Sequence, residues 1–316
     1  MILDRLTSAK NHTHLDTTLD RLLTNKTLPK PVRNYLISCK IENKSQRTIE
    51  VYTMVLSEFT KSTSLDTITA NDIRLFLLSL MHRNLKPSTI HIYYRGIKTF
   101  FNWMVREGLI SISPFINIKA PKLPKIVIMP FSNQDIQNLL SLCNGVKFLD
   151  LRNRAMFLTF LDTGIRLEEM ARIQIPDINF DNETVKIHGK GSKERYVRIG
   201  QGTQRALLKY LVSRNDDLPA LWLTEERHPM TWQGVDITTR RYCKAAVVSG
   251  ARPSAHTFRH TAAISCLRNG MNIVALQVML GHSSIETTRR YLSSLGIDDI
   301  ILEHRKASPV DKMGIK

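Results

Sequence analysis

No apolar run in this chain approaches the roughly 18 residues that mark a membrane-spanning helix, and no cationic segment leads into an apolar one at its start. Neither a membrane span nor a secretory signal is expected, which points to the cytoplasm. Cysteine is scarce: Cys39, Cys143, Cys243 and Cys266 stand apart, without a C-x-x-C pair or a Cys/His spacing suited to zinc. Reduced thiols are expected rather than disulfides or a structural metal. There is no D-x-D, no acidic cluster joined by histidine and no Gly-rich phosphate loop. Metal and nucleotide chemistry therefore lack their usual ligands, and no cofactor is expected. Acid is also short relative to base. Against 28 Asp and Glu stand 45 Lys and Arg, a formal charge of +17. Such an excess draws the chain to a polyanion through release of its counterions, and nucleic acid is the expected partner.

A chain of 316 residues has room for about two domains, each with its own core. The base is denser in the first 130 residues, with 19 basic and 9 acidic side chains, than in the remainder, with 26 and 19. Residues 1–28 are polar and Thr-rich and read as an N-terminal extension with a weak helical tendency. Residues 29–112 read as four helices. Asn43 or Ser45 caps the second, whose apolar face runs through Ile49, Tyr52, Met54, Val55 and Phe59; Thr69 or Asn71 opens the third. Pro87 and Ser88 open the long fourth, ended by Gly108, with Ile92, Ile97, Phe100, Phe101 and Met104 on a core face and His91, Arg95 and Lys98 outward. Lys44, Gln46, Arg47, Lys86, Ser88 and Thr89 gather near the starts of the second and fourth helices, where backbone amides also face phosphate. With Arg95 and Lys98 they are the candidate DNA contacts of this domain; a solvated basic face is the alternative.

Residues 113–130 hold four prolines and no period, and read as an extended linker. Residues 131–316 form the second domain. Ser132 and Asp135 suit a capping box, a strongly apolar helix runs to Thr163, and Gly164 ends it. T-V-K-I-H and E-R-Y-V-R-I alternate about a G-K-G-S-K turn, the pattern of a β-hairpin. Three more helices lead to S-A-H-T-F-R-H and M-N-I-V-A-L-Q-V-M-L-G-H-S-S. There Gly270 and Gly281 stop helices, so Arg259 lies within one while His282 and Tyr291 each follow a turn. The chain ends in a short amphipathic helix with Ile297, Ile300 and Ile301 on one side. Arginine, imidazoles and a phenol gathered at helix ends suit an anionic group undergoing transfer. Without metal ligands, phosphodiester transfer would need fixed cations and a covalent protein intermediate.

Four blocks carry a resemblance: T-G-I-R-L-E-E-M at 163–170, H-G-K-G-S-K-E-R at 188–195, H-T-F-R-H at 256–260, and L-G-H-S-S at 280–284 with Tyr291 nine positions past His282. In this order and at these spacings the chain resembles the tyrosine recombinases, or phage-integrase family, of Xer or transposon-resolvase type, over roughly residues 30–295. The resemblance implies a mostly α fold with a small β-hairpin or sheet, arranged as a two-domain C-shaped clamp. One arm would be a four-helix, SAM-like core-binding domain and the other an α+β catalytic domain. It implies Tyr291 as nucleophile, Arg166 and Arg259 as a phosphate clamp, and His256 and His282 as donors to phosphate oxygens, with His256 the better acceptor for the phenol proton. Lys190 would be the general acid, with Lys193 a competitor. Lys193 and Arg195 would bind DNA backbone. Glu169 would orient Arg166, and His260 would pack and bond to backbone.

The activity so implied is site-specific DNA recombination without metal, through a 3′-phosphotyrosyl intermediate and a Holliday junction. It would serve transposon cointegrate resolution or the integration and excision of a mobile element. Partners would be a double-stranded recombination site, a homotetramer on two sites, and accessory DNA-bound protomers or a directionality factor, all at the nucleoid. A type IB topoisomerase and an inactive DNA-binding protein on the same fold are the alternatives.

Overall fold

The computed structural model describes residues 28–65, 67–124, 129–189, 194–248 and 250–313. The chain divides into two compact units, Met1–Lys125 and Ile126–Lys316.

The described residues of the first unit form four helices, α1 (Lys30–Ile41), α2 (Gln46–Ser62), α3 (Ala70–His82) and α4 (Pro87–Arg106). Local chemistry explains their starts. The Ser45 hydroxyl accepts from the Thr48 N–H at the head of α2. At α3, Thr69 and Asp72 complete a reciprocal capping box, and Pro87 stands at the first position of α4, where its missing N–H costs nothing. The four helices pack around aromatic rings, among them Tyr35, Phe59, Phe76, Phe100, Phe101 and Trp103. Phe59 and Phe76 meet edge to face with centroids 5.0 Å apart.

Two helical faces are rotated from the expected ones. Met54 and Ile92 are half exposed, while Ile90, Tyr93 and Tyr94 take the core side of α4. At 3.6 residues per turn, Tyr93, Ile97, Phe100 and Met104 form one stripe, and Ile92 falls outside it. The start of the presumed linker also belongs to this unit. Phe115 and Ile118 are buried against its core, and the Tyr94 hydroxyl donates to the Ile118 carbonyl at 2.8 Å.

In the second unit, α5 (Asn133–Ser141) begins at the Ser132–Asp135 capping box. Helix α6 (Phe148–Thr163) is the central element, packed between α8 (Gln201–Val212) and α10 (Ala255–Arg268). Phe157 and Phe160 of α6 meet Phe258 of α10 in the core. Helix α7 (Leu167–Arg172) leads to a three-stranded antiparallel sheet of β1 (Ile178–Asn179), β2 (Thr184–His188) and β3 (Glu194–Arg198), in the order β1-β2-β3. The hairpin is present and acquires a third, two-residue strand, too short for an alternation to reveal. Val185, Ile187 and Val197 form its buried face.

Helix α9 (Trp232–Ala245) precedes α10, which is followed by α11 (Ile273–Leu280), α12 (Ile285–Arg289), α13 (Ile297–Ala307) and α14 (Pro309–Lys312). Arg268 of α10 holds α13 through Asp299, at 3.0 Å, while Ile297, Ile300, Ile301 and Leu302 remain open to solvent. Among the described residues no helix is long and apolar enough to cross a membrane.

Candidate active site

The site is organised by two helix ends. Helix α6 stops at Gly164 and α11 at Gly281, each in the left-handed region with φ of 58° and 65°. Such an ending leaves the last carbonyls of a helix without an intrahelical donor. Here guanidinium groups supply it. Arg259, in the middle of α10, donates to the Gly164 carbonyl and to the Leu280 carbonyl, both at 2.8 Å. Arg166, at the head of α7, donates to the Gly281 carbonyl at 3.0 Å. The partial negative charge at the end of α11 thus faces two cations.

The two arginines differ in surroundings. Arg259 is 3% exposed and forms no ion pair among the described residues. Burial and the neighbouring charge of Arg166 lower its guanidinium to about 10, opposed by the nearby Tyr291 phenol. Arg166 is 45% exposed and pairs with Glu169 at 2.9 Å, while its backbone N–H donates to the other carboxylate oxygen. Burial would raise the Glu169 carboxyl. Hydrogen bonds from Arg195 and from the Arg166 backbone overcome that and hold it at about 2.

His282 follows Gly281, with Nε2 2.7 Å from an Arg259 nitrogen and Nδ1 2.9 Å from the Thr288 hydroxyl. Guanidinium has no acceptor, so Nε2 must accept and the ring proton must sit on Nδ1, donating to Thr288. His282 was expected to donate to a phosphate. In this arrangement its N–H is committed to Thr288, because Arg259 can accept nothing from it. Burial and the charges of Arg259 and Arg166 push its imidazole down to about 4, consistent with a neutral acceptor.

Tyr291 follows the turn at Arg290 that caps α12, and is 4% exposed. Its ring lies in a small apolar cluster with Ile264, Leu267, Leu276 and Leu280. It stacks on His282 with centroids 6.1 Å apart and meets His260 edge to face at 5.0 Å. His256 is exposed at the start of α10 and its ring centroid lies 4.6 Å from that of His260, so His260 rather than His256 joins His282 against the phenol ring. His260 was expected to bond to backbone. Its Nε2 instead has no hydrogen-bond partner among the described residues, and burial, then the charges around it, push the ring to about 4. Burial and the charges of Arg259, Arg290 and Arg252 lower His256 as well.

Arg195 is the clearest departure from the sequence reading. Expected on DNA backbone, it faces inward with 14% of its side chain exposed. Strand pairing sets it opposite Ile187, on the buried face that Val197 shares. All three guanidinium nitrogens are engaged, two with Glu169 at 3.0 and 2.8 Å and Nε with the Met279 carbonyl at 2.9 Å. The signal was present in E-R-Y-V-R-I, where alternation places Arg195 on the side of Val197. Lys190 and Lys193 lie outside the described residues.

The remaining candidates stand in the first unit. Gln46, Arg47, Lys86, Ser88, Arg95 and Lys98 are exposed, while Lys44 and Thr89 are half-buried. Lys44 pairs with Glu42 at 2.7 Å, and Arg47 with Glu50 at 3.4 Å.

Residues 131–295 match the phage integrase family, and residues 33–110 match the SAM-like N-terminal domain of phage integrases. Over 286 residues the chain is 30% identical to the tyrosine recombinase XerC of Chlamydia caviae, covering 86% of this chain and 91% of that one. The fold is shared with the Tn1549 transposon integrase in complex with a circular intermediate DNA, at a TM-score of 0.73 and 18% identity, covering 88% of this chain and 99% of that one. It is shared too with the XerH site-specific recombinase bound to a palindromic difH substrate, at a TM-score of 0.68 and 21% identity, covering 98% and 94%. Since the family match spans more than half of its residues, the chain belongs to the phage integrase family and is a tyrosine site-specific recombinase.

Proposed function

We propose that the chain exchanges strands between two DNA sites through a covalent link to Tyr291, without a metal ion. The phenolic oxygen attacks the scissile phosphorus and the bond to the 5′ oxygen breaks. The products are a 3′-phosphotyrosyl linkage and a free 5′-hydroxyl, whose proton comes from Lys190. Attack by the 5′-hydroxyl of a partner strand reverses the step, so the phosphodiester is conserved and no cofactor is consumed. Two rounds pass through a Holliday junction. The observation that carries this reading is the convergence of Arg166, Arg259, His282 and Tyr291 from separate elements on the ends of α6 and α11.

Arg259 and the exposed Arg166 supply the positive charge for the non-bridging oxygens. A phosphate oxygen arriving at Arg259 replaces His282 Nε2 as its acceptor, and this frees the imidazole to turn. Tyr291, buried in the described state, must emerge from its cluster to attack. His256 remains the terminal proton acceptor, with His260 standing between it and the phenol ring. The exposed basic residues at the starts of α2 and α4 hold backbone phosphates. Four protomers assemble on two sites, and the exposed stripe of α13 docks on a neighbour. The work is that of a mobile element, resolving cointegrates or integrating and excising its DNA, in the cytoplasm at the nucleoid.

The test is a nicked substrate that traps cleaved complexes. Tyr291→Phe binds its site and traps no covalent product; a trapped product in that variant overturns the reading. Lys190→Ala cleaves slowly and recovers on DNA whose leaving oxygen is replaced by sulfur, and absence of recovery removes it from the acid role. A two-site exchange assay separates recombination from relaxation alone, and footprinting on the DNA flanking the gene identifies the element served.

A further inference from the structure

The carbonyls of Met279, Leu280 and Gly281, consecutive at the end of α11, are each held by a different arginine: Arg195, Arg259 and Arg166 in turn. Two of the three serve the proposed phosphate clamp. The third shares a carboxylate with one of them. Glu169, 7% exposed, receives both outer nitrogens of Arg195, one nitrogen of Arg166 and the Arg166 backbone N–H. Gly281 packs against the Arg195 guanidinium, whose atoms a Cβ there would meet at 3.0 to 3.1 Å. Arg195 therefore touches the peptide that both accepts from Arg166 and precedes His282.

We propose that Arg195 is a positioning residue for strand cleavage, acting by occupying the Glu169 carboxylate so that Arg166 keeps its positive charge for the scissile phosphate. One buried carboxylate between two guanidiniums leaves a surplus of one positive charge, and the exposures of 45% for Arg166 and 14% for Arg195 place that surplus on the solvent side. Without Arg195, the Glu169 charge falls wholly on Arg166 and draws its fork inward, because a buried carboxylate takes whatever cation is in reach. The bidentate geometry is specific to arginine, since lysine offers a point charge and no Nε for the Met279 carbonyl.

The inference rests on the proposed cleavage by Tyr291, and the variants keep the two apart. Full-length wild type, Arg195→Met, Arg195→Lys, Glu169→Gln and the Arg195→Met/Glu169→Gln double variant are compared for DNA affinity and for single-turnover cleavage at saturating nicked DNA. Arg195→Met should retain its affinity and cleave about ten- to a hundredfold more slowly, the scale of lost charge-assisted hydrogen bonds. Adding Glu169→Gln should restore much of that rate, because the carboxylate that captures Arg166 is gone. A neutral methylphosphonate at the scissile position should shrink the Arg195→Met defect, since less positive charge is then required. A double variant no faster than Arg195→Met overturns the proposal. So does an Arg195→Met protein that cleaves normally at saturation but binds weakly with a reduced salt slope, the signature of a direct phosphate contact. If Arg195→Met fails to fold, judged by its melt, Arg195→Lys with and without Glu169→Gln carries the same comparison. Covalent trapping by Tyr291→Phe would instead sink the parent reading, whatever Arg195 does.

Discussion

Thr288→Val tests the wiring of the site with one oxygen. Thr288 is fully buried, and its hydroxyl accepts the proton that the Arg259 contact forces onto His282 Nδ1. Valine keeps the shape and removes the acceptor. A buried N–H is then left unpartnered, at a cost of about 2 kcal/mol. For a unit of this size the same energy lowers Tm by roughly 5 °C. The ring has no cheap escape, because shifting its proton to Nε2 aims a donor at the Arg259 donor 2.7 Å away. If that energy is also lost from the transition state, cleavage slows by roughly 30-fold at ~1.4 kcal/mol per decade. Nitrogen shifts of labelled histidine report the tautomer, a melt reports the stability, and single-turnover cleavage on nicked DNA reports the rate. Wild-type spectra with the proton on Nε2 would refute the reasoning. A valine variant that melts and cleaves like wild type would do so too.

Acid should weaken the fold through its two buried histidines from about pH 6.5 downward. His260 and His282 sit at about 4 when folded, against 6.5 when free, so below 6.5 the unfolded chain binds more protons. Stability is complete above pH 6.5 and declines towards pH 4, with about 3 kcal/mol from the buried His260 at ~1.4 kcal/mol per unit. Burial and the facing charges of His256, Arg290 and Arg259 set this shift. Glu169, held at about 2 against 4.5 when free, adds its own loss only below about pH 5, at the bottom of that window. Urea midpoints against pH should show the slope, and His260→Gln should flatten it. Gly164→Ala should cost about 2 kcal/mol or more through its left-handed φ of 58°. The added Cβ would also stand 2.9 Å from Leu280 Cδ2, so both the urea midpoint and trapped cleavage should fall.

Much of the architecture was legible because the signals are local. Capping residues Ser45, Thr69 and Ser132, Pro87 at a first turn, and glycines at 164 and 281 mark helix ends through contacts within three or four residues. The errors in the first unit, at Met54 and Ile92, came from a face angle that only packing selects. The start of the presumed linker misled for a similar reason: its prolines conceal Phe115 and Ile118, whose partners lie across the unit.

The candidate groups were likewise named by residue type and spacing, since an arginine, an imidazole and a phenol keep their chemistry wherever the chain carries them. What they do to one another is a matter of distances between segments from about 20 to more than 100 residues apart in the chain. Gly281 lies 115 positions from the Arg166 that donates to it, and Glu169 lies 26 from Arg195. Sequence alone supplied the candidate cations and the candidate nucleophile. Only the tertiary structure decided that Arg195 turns inward, that His282 accepts from Arg259 and donates to Thr288, and that His260 meets the phenol, because hydrogen-bond direction and charge sharing exist only once the helix ends are brought together.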